Sequence, residues 1–559
     1  MDVGKSQMNR RSLLKGTAGA AAAWSMMPTL QTAYAAQDDP VAGGTFTFGN
    51  GKPSEPIINP NSTIGTGQNV LIEALFLRLV YPKLWTEGMN PPEDLELEFA
   101  VAESMEEIET DRVWEIKLRE NVFWHDGEQV TVDDLIFGVW WSLNSKMASF
   151  SETPALNILG GQQLIDEGAE LGDIAVEGLT KIDDFNVRLE LAVPTANYWK
   201  SWYVGYWPMP VHIFGEMPFD QLYTGDHATV PIGNGPFKAV EFVEDQYMEL
   251  AANEDFYLGR PLLDRMVVRF GDGPTLTAAL EAQEIDGMNV GGGPTFDRLI
   301  TLDHLVGNIV TTPHPNGFVT NFERLPDHAA AINKAIQHAI DVNTINEQLF
   351  SNTLTPGQNF MSHMPGLEEN PEGWVEREYD PAKAQEILEE AGWDSNQTLE
   401  WLIIGGTSAM TDAMLAMLSA VGLKAEYRVV DNNAATDELY RETNFDIVMT
   451  NFGPYDFMEP NWKYFKSDWT FNNGGYNTAH YANAEVDALI QSGLDAATAE
   501  EANGFYKQAI TIMNDNPPHA TLYRGSWAYV WNKRVQGAWP YQYRQPVRPP
   551  FERVWIQES

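Results

Sequence analysis

Asp456 stands between two aromatic residues in the run Asn451-Phe452-Gly453-Pro454-Tyr455-Asp456-Phe457-Met458-Glu459-Pro460. A carboxylate held among rings attracts a cation through both its charge and the ring quadrupoles, so this spacing suits a ligand with an ammonium group on an apolar body. The competing account is a strand-end turn in which Asp456 caps its own backbone, and the residues alone leave both open. Elsewhere the usual marks of catalysis are missing. No GxSxG elbow, HExxH pair, Walker loop or Rossmann glycine fingerprint occurs. His125-Asp126 has no third ligand or nucleophile spaced to join it, and is expected to be a structural turn. Pro231–Phe237 and Gly291-Gly292-Gly293-Pro294 superficially resemble phosphate-cradling loops but lack the following Lys-Ser/Thr. A glycosidase needs two opposed carboxylates, and 79 acidic residues leave that alternative standing. The chemistry points to binding, with a secreted hydrolase as the rival class and with no metal or cofactor expected.

The stretch carrying Asp456 must be positioned by what precedes it. Phe445–Thr450 is an apolar run with one early Asp, the pattern of a strand buried on both faces. Upstream, the spacing predicts strand Leu399–Ile404, helix Ser408–Val421 closed by Gly422, strand Lys424–Val430 and helix Ala434–Arg441. That β-α-β-α-β order is a doubly wound half-domain, and such sheets bind ligands in the crevice outside the carboxyl ends of their strands. Before it, Asp327 is expected to cap a helix through Ile332–Ile340, and Asp380-Pro381 to open another that ends at Gly392. Earlier still come alternating strands at Val113–Leu118 and Asn186–Leu191, and a helix begun by Thr131 with Asp134 as its capping partner. Asn69–Val80 has helical apolar spacing, and Val267–Val290 holds a strand-helix-strand unit. The tail Thr521–Val535 carries aromatic strands.

At 559 residues the chain has material for about two to four domains. Its net charge of −44 repels nucleic acid and anionic membrane, which makes both poor partners, and no nucleic acid is expected to bind. The absence of cysteine excludes disulfides, thiol chemistry and a lipid-modified cysteine anchor. Asn9-Arg10-Arg11-Ser12-Leu13-Leu14-Lys15, the mild apolar run Gly16–Met27 and Ala33-Tyr34-Ala35 together predict a twin-arginine leader at 1–35, cleaved near Ala35. The mature product is therefore expected to be extracytoplasmic, and periplasmic in a host with an outer membrane.

Six blocks in order resemble one family. Leu118–Asn144 (LRENVFWHDGEQVTVDDLIFGVWWSLN) is the most specific. Lys181–Leu191, Pro231–Phe237, Ala335–Ile345, Asp380–Trp393 and Asn477–Leu489 support it. Together they are similar to the extracellular solute-binding proteins of family 5, the oligopeptide, dipeptide and nickel type that serve ABC importers. The resemblance implies an α/β periplasmic-binding-protein clamshell of the class II, cluster C type, two α/β lobes plus an inserted third domain. Carried onto this chain, lobe I comprises 41–70, 209–310 and 526–559, the insert is 71–208, and the ligand-binding lobe is 311–525. It implies that Asp456 grips the α-ammonium of a peptide, that Asn451, Phe452 and Gly453 form a main-chain platform, and that Phe452 is the flanking ring, with Tyr455 and Phe457 beside them. It implies a monomer that hands a peptide or other small solute to permease subunits, with an oligosaccharide as the alternative ligand. Two departures stand out: Met449-Thr450 occupies a position where relatives that clamp a peptide C-terminus carry Arg, and Asp341-Val342-Asn343 replaces the common Asp-Arg-x.

Overall fold

The computed structural model describes residues 40–51, 69–82, 97–144, 155, 157–167, 174–195, 198–200, 206–218, 221, 226–357, 359–361, 366–367, 369–430, 437–451, 462, 464–470, 476–496, 498–537 and 551–557. The leader at 1–35 lies outside them, and the elements below belong to one compact unit, Ala42–Ser559. Strand β1 (Thr45–Asn50) buries Phe46 and Phe48, two residues apart and therefore on one face. Helix α1 (Asn69–Leu75) is shorter than its apolar spacing predicts. It stops because the turn at 233–235 captures its end: Gly235 N donates to Leu75 O at 2.8 Å, and Leu77 N donates to Asn234 Oδ1 at 2.7 Å. The chain then re-enters as β2 (Val80–Pro82), antiparallel to β3 (Leu97–Phe99).

A separate antiparallel sheet follows. Its strands are β4 (Ala102–Glu109), β5 (Val113–Leu118), β6 (Leu179–Lys181) and β7 (Asn186–Glu190), in the order β4-β5-β7-β6. Edge strand β4 exposes Glu103, Glu106, Glu107, Ile108 and Glu109. Helix α2 (Val132–Ser142) starts as expected: Asp134 Oδ2 accepts from Thr131 N at 2.8 Å. Its other carboxylate oxygen accepts from Val211 N at 3.0 Å, and burial pushes the Asp134 carboxyl above its ordinary range. Phe137, Val139, Trp140 and Trp141 are all buried, so this helix is apolar nearly all round.

The turn at His125-Asp126 is structural. His125 Nδ1 accepts from Gly233 N at 3.1 Å and its Nε2 donates to Gly235 O at 3.1 Å, which fixes a neutral tautomer. Burial holds this imidazole down at about 4. Asp126 turns the other way and meets His212 Nε2 at 2.9 Å. The glycines of the Pro231–Phe237 turn thus serve close packing: a Cβ on Gly233 would lie 1.9 Å from Leu75 O.

Strands β8 (Phe237–Val243), β9 (Tyr247–Ala252) and β10 (Arg265–Phe270) form an antiparallel run, and β10 lies parallel to β1. Asp272 caps helix α3 (Gly273–Glu281) by accepting from Thr275 N at 2.8 Å, and β11 (Gly287–Asn289) returns parallel to β1. This is the strand-helix-strand unit legible in the sequence. Fully buried Asp286 stitches three distant segments together. Its carboxylate accepts from Thr47 N at 2.8 Å and Arg534 Nε at 2.6 Å, and its carbonyl accepts from Asn532 N at 2.7 Å. Helix α4 (Pro294–Leu299) leads into the long strand β12 (Leu305–Thr320).

Beyond β12 the chain is regularly α/β. Helix α5 (Ala329–Ala339) is capped at His328, one residue later than the Asp327 expected, and without a side-chain cap. The preceding turn already supplies a partner, since Leu325 O accepts from Ala329 N at 2.8 Å. Asp341 caps α6 (Val342–Phe350), β13 (Thr355–Pro356) follows, and Asp380 caps α7 (Pro381–Glu390) by accepting from Ala382 N and Lys383 N at 3.1 and 3.0 Å. Then come β14 (Thr398–Ile404), α8 (Ala409–Ala420) with Ser408 as its cap, β15 (Lys424–Val430) and β16 (Ile447–Asn451). The helix expected at 434–441 is corrected: its described part, Asp437–Arg441, is a π-helical turn. That wider turn buries Leu439 while Glu438 reaches Arg428 at 2.9 Å.

Helices α9 (Ala484–Leu494) and α10 (Ala499–Asp515) precede β17 (His519–Asn532), and β18 (Val535–Gln536) pairs with β19 (Trp555–Ile556). Among the described residues the large sheet has eleven strands, ordered β15-β14-β16-β12-β17-β11-β1-β10-β9-β8 with β13 on β17. Two apolar clusters draw only on residues between Phe318 and Tyr523. A third joins Phe46–Phe270 to Val535–Val554, and a fourth packs α3 and α4 against Ala528 and Val530. Strands β12 and β17 run from one group of clusters to the other, paired along most of their length.

Candidate ligand-binding site

Asn451 is the last residue of β16, and the order β15-β14-β16 places that end where the sheet's winding reverses. Strand β14 pairs parallel with β15 on one side and with β16 on the other. Strands β15 and β16 thus flank β14 on opposite sides, which puts the switch point of this parallel run between the carboxyl ends of β14 and β16. Gly405 and Gly406, at φ +78° and +124°, turn the chain away from the end of β14 toward the Ser408 cap of α8.

The register of β16 is fixed at its entry. Asp446 accepts from Glu400 N at 2.8 Å and pairs with Arg324 Nε at 2.8 Å, while Phe445 and Ile447 are buried. On its other side Asn451 faces Asn316 of β12, and Thr450 faces Gly317. A Cβ on Gly317 would lie 2.0 Å from Ala520 O and 2.9 Å from His519 Cε1, so the glycine admits β17 and its imidazole beneath β16. His519 Nδ1 meets Thr521 Oγ1 at 2.7 Å, and the Thr450 carbonyl lies beside the ring. Burial holds this imidazole down at about 3, so it is neutral at any ordinary pH.

Trp462 is fully buried, with its ring 5.0 Å from Tyr506 and 6.3 Å from Phe465. Just beyond it, Tyr464 stacks on Tyr476 at 5.6 Å, and Tyr440 meets Tyr476 at 4.9 Å. Burial pushes the Tyr440 hydroxyl well above its ordinary range. Of the residues the sequence singled out, Asn451 is placed at the strand end, as the last residue of β16. Phe452, Gly453, Tyr455, Asp456 and Phe457 lie outside the described residues. Sequence reasoning missed His519, Thr521 and Gly317: a single His and a single Gly in strand-like runs carry no pattern, and only the pairing of β12, β16 and β17 unites them.

Among the described residues, no three His, Asp or Glu side chains converge as metal ligands, and no helix is long and apolar enough to cross a membrane. A shallow depression of about 450 Å³ lined by His338, Glu376, Glu378, Tyr379, Asp380 and Pro381 lies at the start of α7, on the capping turn rather than at the strand ends.

Residues 96–474 match the profile of the bacterial extracellular solute-binding proteins, family 5. The chain belongs to that family. It is 23% identical over 497 residues to the oligopeptide-binding protein AppA of Bacillus subtilis, covering 83% of this chain and 84% of the relative. It is 24% identical over 486 residues to heme-binding protein A of Haemophilus influenzae, covering 81% and 82%. Among solved structures, that of the Bacillus subtilis AppA in complex with a nonapeptide superposes with a TM-score of 0.76 at 19% identity, over 93% of this chain and 100% of that one. NikZ from Campylobacter jejuni in complex with Ni(L-His) gives 0.72 at 19% identity, over 91% and 99%. The fold is thus the α/β periplasmic-binding-protein clamshell, and the chain is a solute-binding receptor of the extracytoplasmic, ABC-transporter-associated type.

Proposed function

We propose that this receptor captures short peptides, or similar solutes carrying a free amine, and delivers them to an ABC importer. The observation that carries the reading is the position of β16: it ends at Asn451, shortly before Asp456 in the sequence, at the reversal point between β14 and β16, where open α/β sheets bind ligands. Asp456 grips the ligand's ammonium, Asn451, Phe452 and Gly453 offer main-chain hydrogen bonds, and the rings of Phe452, Tyr455 and Phe457 flank its apolar body. The oligopeptide-binding relative and the nonapeptide complex support a peptide. The partition into lobe I (41–70, 209–310, 526–559), insert (71–208) and ligand-binding lobe (311–525) is supported by the two clusters confined to residues 318–523 and by the strands that cross between cluster groups. Ligand bound on one lobe draws in the other by rotation about those strands, and the permease reads the closed form. The twin-arginine leader exports the folded chain to the periplasm, where it works as a monomer.

Native mass spectrometry of the mature protein tests this directly. A spread of small peptide masses released on denaturation is the expected result. Hexose-spaced masses would move the ligand to an oligosaccharide, and turnover of a supplied peptide would revive the hydrolase.

A further inference from the structure

The ladder between β12 and β17 breaks where the strands pass between the apolar clusters. Thr311 faces Ser526 and Pro315 faces Arg524, so β12 carries two extra residues there; the register shifts again between Asn316 and Gly317. Beside this break two turns from opposite ends of the crossing meet. One is Gly291-Gly292-Gly293, between β11 and α4. The other is Ser351-Asn352-Thr353, after α6.

Both turns are built to hold unusual backbone. Gly291 and Gly293 have φ of +66° and +94°, and Ser351 and Asn352, which are not glycines, have +50° and +62°. Buried Asn346 locks the second turn: its Nδ2 donates to Leu354 O and its Oδ1 accepts from Leu354 N, both at 2.9 Å. Thr353 Oγ1 donates to Phe350 O at 2.7 Å, which fixes its rotamer. At Gly292 and Gly293 the fit leaves no room for a side chain. A Cβ on Gly292 would lie 2.1 Å from Thr353 Oγ1 and 3.3 Å from Ser526 Oγ, and one on Gly293 would lie 2.5 Å from Leu349 O.

We propose that the Gly292–Thr353 contact is a seat beside the hinge that limits how far the lobes rotate toward one another. It rests on the receptor reading above, in which the lobes turn about β12 and β17. Packed contacts at a pivot have discrete arrangements rather than elastic ones, so a small obstruction there is magnified at the lobe tips. Gly292 is therefore kept bare to let the seat close fully.

The chain has no cysteine, so a pair of spin labels can be placed without background. Val240 on β8 and Val429 on β15 are exposed, and they lie on the two outermost strands of the large sheet. Distances between labels on Val240→Cys and Val429→Cys are measured by pulsed electron resonance, without ligand and with a synthetic tetrapeptide library bearing free α-amino groups. Gly292→Ala is expected to shift the distance distribution by several ångström relative to the parent, and Gly292→Ala with Thr353→Ala to bring it back. Thr353→Ala alone, which adds no bulk, tests the seat if Gly292→Ala folds poorly, and is expected to extend the distribution beyond the parent's closed limit. Superposable distributions in parent, Gly292→Ala and Thr353→Ala overturn the seat, as does a Gly292→Ala shift that Thr353→Ala leaves unrelieved. A parent distribution unmoved by the library would instead sink the peptide-closure reading, while the ligand-free comparison of variants still decides the seat.

Discussion

Two side chains, Asp456 and His519, carry opposite lessons about charge near the end of β16. In the proposed site Asp456 meets an ammonium, so Asp456→Asn is expected to weaken binding of free-amine peptides by about 2–4 kcal/mol while N-acetylated peptides lose little. Calorimetric titration with matched free and acetylated peptides checks this, and equal affinity of parent and variant would remove Asp456 from the site. His519 is the group kept uncharged. Its folded-state value of about 3 lies below the ordinary 6.5, so as pH falls the unfolded chain takes up the proton first. The stability it contributes is therefore complete above about pH 6.5 and drains away toward pH 3, amounting to about 2 kcal/mol by pH 5. Urea unfolding at pH 7 and pH 5 should show that difference shrinking by about this amount in His519→Gln. Residues that act on their own neighbours, such as Asp380 and Thr131 with Asp134, were legible in the sequence because a cap is a local device. His519 was not, because its surroundings come from β12 and β16, which lie far from it in the chain.

At the scale of elements, the described residues that flank 452–461 are Asn451, in the β16 ladder, and Trp462, in the core. Trp462→Ala would open a large cavity against Tyr506 and Phe465 and is expected to cost about 3–5 kcal/mol, read by urea denaturation. Trp462→Phe, which keeps most of the contact, should lose far less; an equal loss would mean that contact with Tyr506 and Phe465 is not what makes this position matter. Most elements followed from periodicity: β5, β15, α7 and α8 lie within a residue or two of where apolar spacing and caps put them. The failures have a common cause. Helix α1 ends early because a turn more than a hundred residues away takes its last carbonyl, and the π turn at Asp437–Arg441 carries a Glu438–Arg428 pair that joins it to β15, a partner no local spacing shows. Strand order was likewise invisible. The sequence shows a β-α-β-α-β string, but only the pairing of β14 with both β15 and β16 shows where the winding reverses.

For the whole molecule, a net charge of −44 means that self-repulsion opposes the folded state at low ionic strength. Raising NaCl from about 0.05 to 1 M shortens the screening length from roughly 14 to 3 Å and is expected to raise the melting temperature by several degrees. A flat profile by scanning calorimetry would show that the acidic residues are already spaced widely enough not to matter. The same charge acts locally along β4, which among the described residues is an edge strand with Glu103, Glu106, Glu107 and Glu109 exposed on it. An open edge is a template for a second chain, and ionised glutamates are what keep two such edges apart. Acidification would silence that repulsion and leave Ile108 uncovered amid neutral side chains, turning an inert border into an adhesive one. The receptor's shelf life in acid would then be set by fibre-like clumping along this border, long before its ligand chemistry fails.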